Sequence, residues 1–295
     1  MRLGIMIITA LIGAGVSQTG FAADERAHIE RVDFAMNSVG GGDFRRYVSE
    51  QITDNGEPAQ WRHSMQTLGV LHNLMHEMMT DLALYGQDAY PDADLPEFDL
   101  RISGGQWTDY QQALTEAYDA DHPWRQFAHV MEVMHDRVHH VMVNAIRFDI
   151  DRYARDTELS EYASESRTPH DEADTLPPAD QLRFERVDQD QLRNYIWHGD
   201  YKNPHLHAAL QKLITFDYLI RDLQTQWLNY ANHSLDESCH YQLEPEVMSI
   251  PTWQAYAKQT ECSEAQWSHL IQVTNLMQQR VNHVAAALMR EQGEI

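Results

Sequence analysis

The sequence is poor in lysine, in cysteine and in long apolar runs. Its 295 residues include only three lysines, and 22 basic residues stand against 45 acidic ones, for a formal charge of −23. This balance argues against a nucleic-acid partner, because phosphate recognition needs clustered Lys and Arg, and it disfavours an anionic membrane surface. With 43% hydrophobic and 23% charged residues, the chain still has the composition of a globular protein with a buried core.

The only long apolar stretch lies at the N-terminus. A positive Arg2, the apolar residues 3–16 and a small-residue ending at Ala23 predict a signal peptide over residues 1–23. A transmembrane anchor is the weaker interpretation, since it needs about 20 uninterrupted apolar residues and Gln18 and Thr19 break this stretch. We therefore expect an exported protein, periplasmic or secreted, with no membrane contact after signal cleavage.

The chain has two cysteines, Cys239 and Cys262. In an oxidising compartment they can pair, and we predict a disulfide that closes a loop of about 20 residues. Neither cysteine lies in a Cys-x2-Cys-His motif, which excludes covalent attachment of a c-type haem.

Helical periodicity recurs along the chain, whereas strand alternation is nowhere sustained. Long amphipathic helices are predicted over residues 57–85, 123–155, 204–233 and 264–290. Shorter helices are predicted over 26–36, 43–53, 107–118 and 179–195, with an acidic, proline-containing linker over 157–178. The pattern predicts an all-α fold: a four-helix-bundle-like core with additional short helices on the connections, in a single helical domain over residues 24–295.

Two of the long helices share a motif. When Trp61 is aligned with Trp124, both helices read Trp-Arg-x7-Val-x-His-x3-His-x2-Met, with six identities over 19 positions. Two bundle helices of equal periodicity can align by chance, but identities that include Trp and His favour an internal duplication.

The histidines of this motif are predicted to face the core. At about 100° per residue, His72 and His76 on one helix, and His135 and His139 on the other, fall within about 60° of the centre of the apolar stripe. Imidazoles at positions i and i+4 can reach one cation, as they do in zinc motifs with this spacing. We therefore predict a metal site formed by these four residues, for which copper, iron and zinc are suitable ions.

Two acidic residues are candidates for further ligands. Glu132 lies one turn before His135, and Glu132-x2-His135 locally resembles the Glu-x2-His motif of di-iron carboxylate proteins. The aligned position on the other helix is Gly69, so the paired carboxylate of that family is missing. Asp217 falls within the apolar face of the third long helix, where a lone carboxylate is costly. It is predicted either to bind the metal or to accept the second N–H of a ligating imidazole.

These features predict an exported helical-bundle metal-binding protein with a histidine-rich core site. Iron or copper with an open coordination position would make it a metal-dependent oxidoreductase, whereas four bound histidines would indicate binding, storage or a structural role. Two alternatives stay open. One is a non-covalent b-type haem with two of the histidines as axial ligands, and the other is a metal-free exported interaction or structural protein. The sequence identifies neither a substrate nor a protein partner.

Overall fold

Helices make up most of the chain that the structure describes. The computed structural model describes residues 40–52, 58–98, 101–156, 194, 203–241, 250–258, 262 and 264–291, all of which belong to one compact unit. The predicted signal peptide (1–23), helix 26–36 and linker (157–178) lie outside these residues, as does the predicted helix 179–195 apart from Asn194.

The described residues form seven α-helices and no strand, which confirms the all-α prediction. The helices are α1 (Gly41–Tyr47), α2 (Ala59–Ala89), α3 (Gly104–Ala117), α4 (Pro123–Asp156), α5 (Pro204–Ser234), α6 (Ile250–Lys258) and α7 (Ala265–Glu291). A π-helix (Val48–Ile52) continues α1, and 3-10 turns lie at Pro91–Ala93 and Glu237–Cys239. None of the described helices combines the length and the apolar character that crossing a membrane requires.

Local signals explain where several helices begin. Proline occupies the first position of α4 and of α5, where its missing N–H costs nothing. The side chain of Asn203 caps α5 by accepting hydrogen bonds from the N–H groups of His205 and Leu206. Ser103 and Gln106 form a reciprocal capping box at the start of α3.

Helix α2 extends beyond its predicted end. The sequence pattern predicts that Gly86 stops the helix, but α2 runs through this glycine to Ala89. A Cβ atom at Gly86 would lie 1.8 Å from Oη of Tyr110 and 2.7 Å from Nε1 of Trp124. Gly86 therefore serves close packing against a neighbouring tyrosine and does not end the helix.

Helices α2 and α4 are antiparallel neighbours. At one end, the ring centroids of Trp61 and Phe148 are 5.2 Å apart. At the other end, those of Tyr85 and Trp124 are 5.1 Å apart. Because residues early in α2 meet residues late in α4, positions midway along the two helices also face each other.

Helix α5 packs antiparallel to α2 on a different side. The ring of Tyr230, late in α5, lies 5.1 Å from that of Trp61, early in α2. At the opposite end, Asn203 donates a hydrogen bond of 3.0 Å to Asp88. Since α4 and α5 are both antiparallel to α2, they run in the same direction, and Asp156 and Pro204 lie at opposite ends of the bundle.

Helix α7 completes the bundle by packing against α4 and α5. Trp267 contacts Phe148 of α4 at 5.0 Å and Trp227 of α5 at 6.2 Å. Further along α7, the side-chain amide of Gln278 donates a hydrogen bond of 2.9 Å to Asp217. Four long helices thus enclose one core, and the direction of α4 and α5 matches bundles that have a long crossover connection.

The predicted disulfide between Cys239 and Cys262 is formed, with Cα atoms 4.5 Å apart. Next to it, the hydroxyl of Tyr256 donates to the carbonyl of Cys239 and accepts a hydrogen bond of 2.6 Å from Nε1 of Trp267. Burial raises the pKa of this tyrosine to about 12. The disulfide joins the turn after α5 to the segment just before α7, and Tyr256 links α6 to both of these regions.

Candidate metal centre

The antiparallel packing of α2 and α4 brings their two histidine pairs together. His72 faces His139 with ring centroids 4.9 Å apart, and His76 faces His135 at 5.0 Å. Within each helix, the centroids are 4.7 Å apart for His72 and His76 and 4.5 Å apart for His135 and His139. The four imidazoles therefore form a closed quadrilateral midway along the bundle.

Three of these residues already have the spacing of metal ligands. His72, His76 and His139 each offer a nitrogen, and these atoms all lie within 4.8 Å of one another. His72 is only 6% exposed, so its imidazole lies in the interior of the bundle. This cluster can hold a metal ion, because imidazole nitrogen is a ligand for several transition metals.

The environment keeps two of these imidazoles neutral. Burial, reinforced by the neighbouring His76, lowers the pKa of His72 to about 3. Burial, together with His135, lowers the pKa of His76 to about 4. Both rings are therefore unprotonated at neutral pH, which is the form that binds metals.

A backbone carbonyl fixes the orientation of His76. Its Nδ1 lies 3.1 Å from the carbonyl oxygen of Ile102 and donates to it, which directs the lone pair of the ring to Nε2. Ile102 is held in turn by its own N–H, which donates to the hydroxyl of Thr80 at 3.1 Å. Such a carbonyl partner commonly orients a ligating histidine.

The two histidines of α4 contact each other through their ring nitrogens. Nε2 of His135 and Nε2 of His139 are 3.0 Å apart, so one ring donates and the other accepts. On its other side, Nδ1 of His135 lies 3.6 Å from a carboxylate oxygen of Asp136. Burial alone would raise the pKa of Asp136, but its hydrogen bond to His135 and the nearby histidines lower it.

No family model, no curated protein and no solved structure matches this chain. Fold alone does not define a function, since one fold can support many activities. The function must therefore be argued from the chemistry of the histidine cluster.

The structure places Glu132 beside a surface histidine. One of its carboxylate oxygens lies 3.7 Å from Nδ1 of His129, a half-exposed residue one turn earlier on α4. Glu132 is not in the group of three residues with ligand spacing. Its carboxylate is thus partly exposed and paired along α4.

Asp217 is buried, as its place on the apolar face predicts, and it is paired. One carboxylate oxygen accepts the hydrogen bond from Gln278, and the other lies 3.3 Å from Nε of Arg221. It too is absent from the group with ligand spacing. These contacts stabilise a buried carboxylate at the interface of α5 and α7.

A second polar cluster contains histidines that the helical wheel places outside the apolar stripes. Nη1 of Arg137 lies 2.9 Å from Nδ1 of His140 on α4, and Nη1 of Arg280 lies 2.6 Å from Nδ1 of His283 on α7. Both arginines are buried. Burial, followed by the charge of Arg137, lowers the pKa of Arg280 to about 10, and burial lowers the pKa of His283 to about 4. The effect of Arg137 on Arg280 shows that the two pairs lie close together, one on α4 and one on α7.

Proposed function

We propose that this protein is an exported metal-binding protein that holds one transition-metal ion with His72, His76, His135 and His139. The observation that supports this most directly is the meeting of two His-x3-His pairs from antiparallel helices in one quadrilateral of imidazoles. The gap-free alignment of the two helices also pairs His72 with His135 and His76 with His139.

The ring spacings suit one ion. With metal–nitrogen distances of about 2.0–2.1 Å, each ring centroid lies about 3.2 Å from the metal, and neighbouring centroids are about 4.5 Å apart in a square and about 5.2 Å apart in a tetrahedron. The four measured spacings run from 4.5 to 5.0 Å. The centroid spacings are therefore close to those expected for four imidazoles around one ion, and the nitrogens of His72, His76 and His139 lie within 4.8 Å of one another.

A polar atom left without a partner also supports a ligand at this site. Nδ1 of His72 is buried and makes no hydrogen bond within the described part of the chain. An unsatisfied buried polar group costs about 1–3 kcal/mol. A metal ion bound to Nδ1 of His72 would take the place of the missing partner.

The packing of the rings favours a single ion over haem. Two axial histidines of a haem lie on opposite faces of a wide macrocycle, whereas these four rings contact one another edge to face. If all four nitrogens bind the ion, no position is open for a substrate, and the role is binding, storage or electron transfer. If His135 leaves the ion, copper or iron would have an open position, as a metal-dependent oxidoreductase requires.

Export is supported by the sequence and by the cysteines. The N-terminal pattern is typical of a signal peptide, and the paired Cys239 and Cys262 suit an oxidising compartment. We place the protein in the periplasm or outside the cell. The formal charge of −23 argues against a nucleic-acid partner.

Metal analysis of the purified protein tests this proposal. Protein prepared from its native compartment should contain about one equivalent of copper, iron or zinc per chain, and the absorption spectrum should lack the Soret band of haem. The double variant His72→Ala/His135→Ala should lose the metal and keep its helical circular dichroism. A matched control, His63→Ala/His129→Ala, also removes one histidine from each helix, but both of these side chains are about half exposed. Metal retention by the first variant would contradict the site assignment, and a Soret band would support the haem alternative.

A further inference from the structure

The duplicated unit extends beyond the two long helices. Residues 63 positions apart in the sequence are identical or similar at several places in α2 and α4. The same holds for the shorter helices α1 and α3 that precede them. The identical pairs in this longer unit include Gly41 and Gly104, Gly42 and Gly105, and Tyr47 and Tyr110, with an aromatic pair, Phe44 and Trp107, between them. Each unit thus reads Gly-Gly-x-aromatic-x2-Tyr and then, after a connection, Trp-Arg-x9-His-x3-His.

The tyrosines of the two units make related contacts. Tyr110 accepts a hydrogen bond of 2.8 Å from Nε1 of Trp124, the tryptophan of its own unit. Tyr47 reaches Trp61 through a carboxylate: its hydroxyl donates to Asp149 at 2.5 Å, and Nε1 of Trp61 donates to the other oxygen of Asp149 at 2.7 Å.

The same spacing of 63 positions relates Asp149 to Gly86. In the first unit, the carboxylate of Asp149 lies between Tyr47 and Trp61. In the second unit, Gly86 leaves room for Tyr110 and Trp124 to form a direct hydrogen bond. The two units therefore share an architecture around the histidine cluster, and this is independent support for a duplication.

The glycines that begin α1 and α3 contact equivalent histidines. A Cβ atom at Gly41 would lie 2.4 Å from Cε1 and 2.5 Å from Nδ1 of His72. A Cβ atom at Gly104 would lie 3.2 Å from Cε1 of His135. The neighbouring Gly42 and Gly105 have no atom within 4 Å of such a Cβ.

We propose that Gly41 and Gly104 are paired positioning residues of the metal centre: each lets its helix lie directly against the first histidine of one pair and so sets the orientation of that imidazole. This inference rests on the proposed metal-binding function. The ring of His72 has little freedom to move away, because His76 and His139 contact it on other sides. Backbone in contact with one edge of the ring thus limits the rotamers that direct its nitrogens towards the cluster.

The contact of Gly41 with His72 is closer than that of Gly104 with His135. An alanine at position 41 should therefore affect metal binding more than an alanine at position 104. At Gly41 an added methyl group would overlap the imidazole, so either α1 or the ring of His72 must shift. At Gly104 the contact of 3.2 Å requires a displacement of only a few tenths of an ångström. His72 is therefore packed more tightly against α1 than His135 is against α3.

Four single variants of the full mature chain test this inference, with Zn(II) competition titrations for affinity and the Co(II) absorption spectrum for geometry. Gly41→Ala should weaken Zn(II) binding by about 10- to 100-fold, the range seen when groups that orient metal ligands are removed, and should shift the Co(II) bands. Gly104→Ala should cause a smaller loss. Gly42→Ala and Gly105→Ala are matched controls for adding a methyl group at the same helix ends and should bind as the unsubstituted protein does.

The order of the four variants separates positioning from simple packing. Urea unfolding of each metal-free variant gives the cost in stability, and the imidazole proton resonances of His72 show directly whether its ring has moved. If Gly41→Ala binds Zn(II) and Co(II) as the unsubstituted protein does, the positioning role is wrong while the metal site stands. An equal loss in all four variants would also contradict it. If the unsubstituted protein binds none of Zn(II), Co(II), Cu(II) or Fe(II), the proposed function fails, and this inference fails with it.

Discussion

The Nε2 atoms of His135 and His139 lie 3.0 Å apart, so these two imidazoles share a hydrogen bond at the edge of a cluster that can hold a metal ion. A ring nitrogen cannot both bind a metal with its lone pair and accept this bond. Nor can it donate the bond, since a protonated nitrogen has no lone pair for the metal, so binding of an ion by Nε2 of His139 requires the bond to be given up. His135 is then either the fourth ligand or a neighbour that donates to the bound water or substrate.

The two histidines of α4 should contribute unequally to affinity. His139 belongs to the group with ligand spacing, whereas His135 does not. His139→Ala should therefore weaken Zn(II) binding more than His135→Ala, by a difference on the order of tenfold, equivalent to about 1.4 kcal/mol. Competition titrations at neutral pH measure both variants, and a larger loss for His135→Ala would contradict the order.

Glu132 and Asp217 remain predicted contributors to the site. If the contacts seen for them describe their roles, Glu132→Gln and Asp217→Asn should bind Zn(II) with unchanged affinity. Asp217→Asn should lower stability instead, because it removes the charge that Arg221 and Gln278 stabilise. A loss of affinity without loss of stability in either variant would identify that carboxylate as a ligand or as the partner of one.

Stability of the metal-free protein should fall as the pH falls. The pKa values of His72, His76 and His283 are lowered to about 3, 4 and 4, so these rings stay neutral in the folded state while the unfolded chain takes up protons near pH 6.5. The unfolded state binds more protons between about pH 6.5 and 4, and stability decreases across that window. Urea unfolding at several pH values measures the slope.

His283→Gln provides a control for this pH dependence outside the metal centre. Its Nδ1 accepts from the guanidinium of Arg280 in the folded protein, which requires a neutral ring. The substitution should reduce the proton uptake on unfolding by about one near pH 5. An unchanged slope would show that this histidine titrates alike in both states.

Asp149 should be important for stability because it joins α1, α2 and α4. Asp149→Ala would leave the buried donors of Tyr47 and Trp61 without this acceptor, and we expect a loss of about 2–4 kcal/mol. Asp149→Asn keeps an acceptor oxygen and should cost less. Equilibrium urea denaturation compares the two, and similar losses would show that the negative charge, not the acceptor, is what matters.

Replacing both cysteines with alanine should lower stability by about 3 kcal/mol, as expected for a loop of this length. Zn(II) affinity should be unchanged, since the histidines belong to α2 and α4 and the disulfide joins the turn after α5 to the start of α7. Thermal unfolding and a competition titration of the same preparation test both points. A large drop in affinity would show that the two regions are coupled.

The sequence predicts the histidine pairs well because helical periodicity is a local property. His72 and His76 share a face of α2 at any tertiary arrangement, and the boundaries of the long helices follow from proline, capping residues and periodicity. The contact between the histidine-bearing faces of α2 and α4 is a property of the tertiary structure. It depends on α2 and α4 being antiparallel, which the ring contacts at both helix ends show.

Two glycines show what local patterns miss. Glycine is a frequent helix terminator, so the presence of Gly41 or Gly86 in the sequence does not by itself predict a packing role. In the structure, both serve close packing against a side chain more than 20 residues away in the chain. Extending the gap-free alignment by 20 positions towards the N-terminus pairs Gly41 with Gly104, and this pairing is the sequence signal of their role. The buried Asp217 shows a similar limit, because its partner Gln278 lies 61 positions away.

All four histidines lie near the middle of α2 and α4, at least two turns from either helix end. Their spacing is set by continuous helical backbone, so loops at the ends of the bundle do not determine it. Substitutions at the ends of the bundle should therefore leave the spacing of the histidines along each helix intact. Changes at Gly41, Ile102 or Gly104 are different, because these residues contact the histidines and should alter the orientation of the rings.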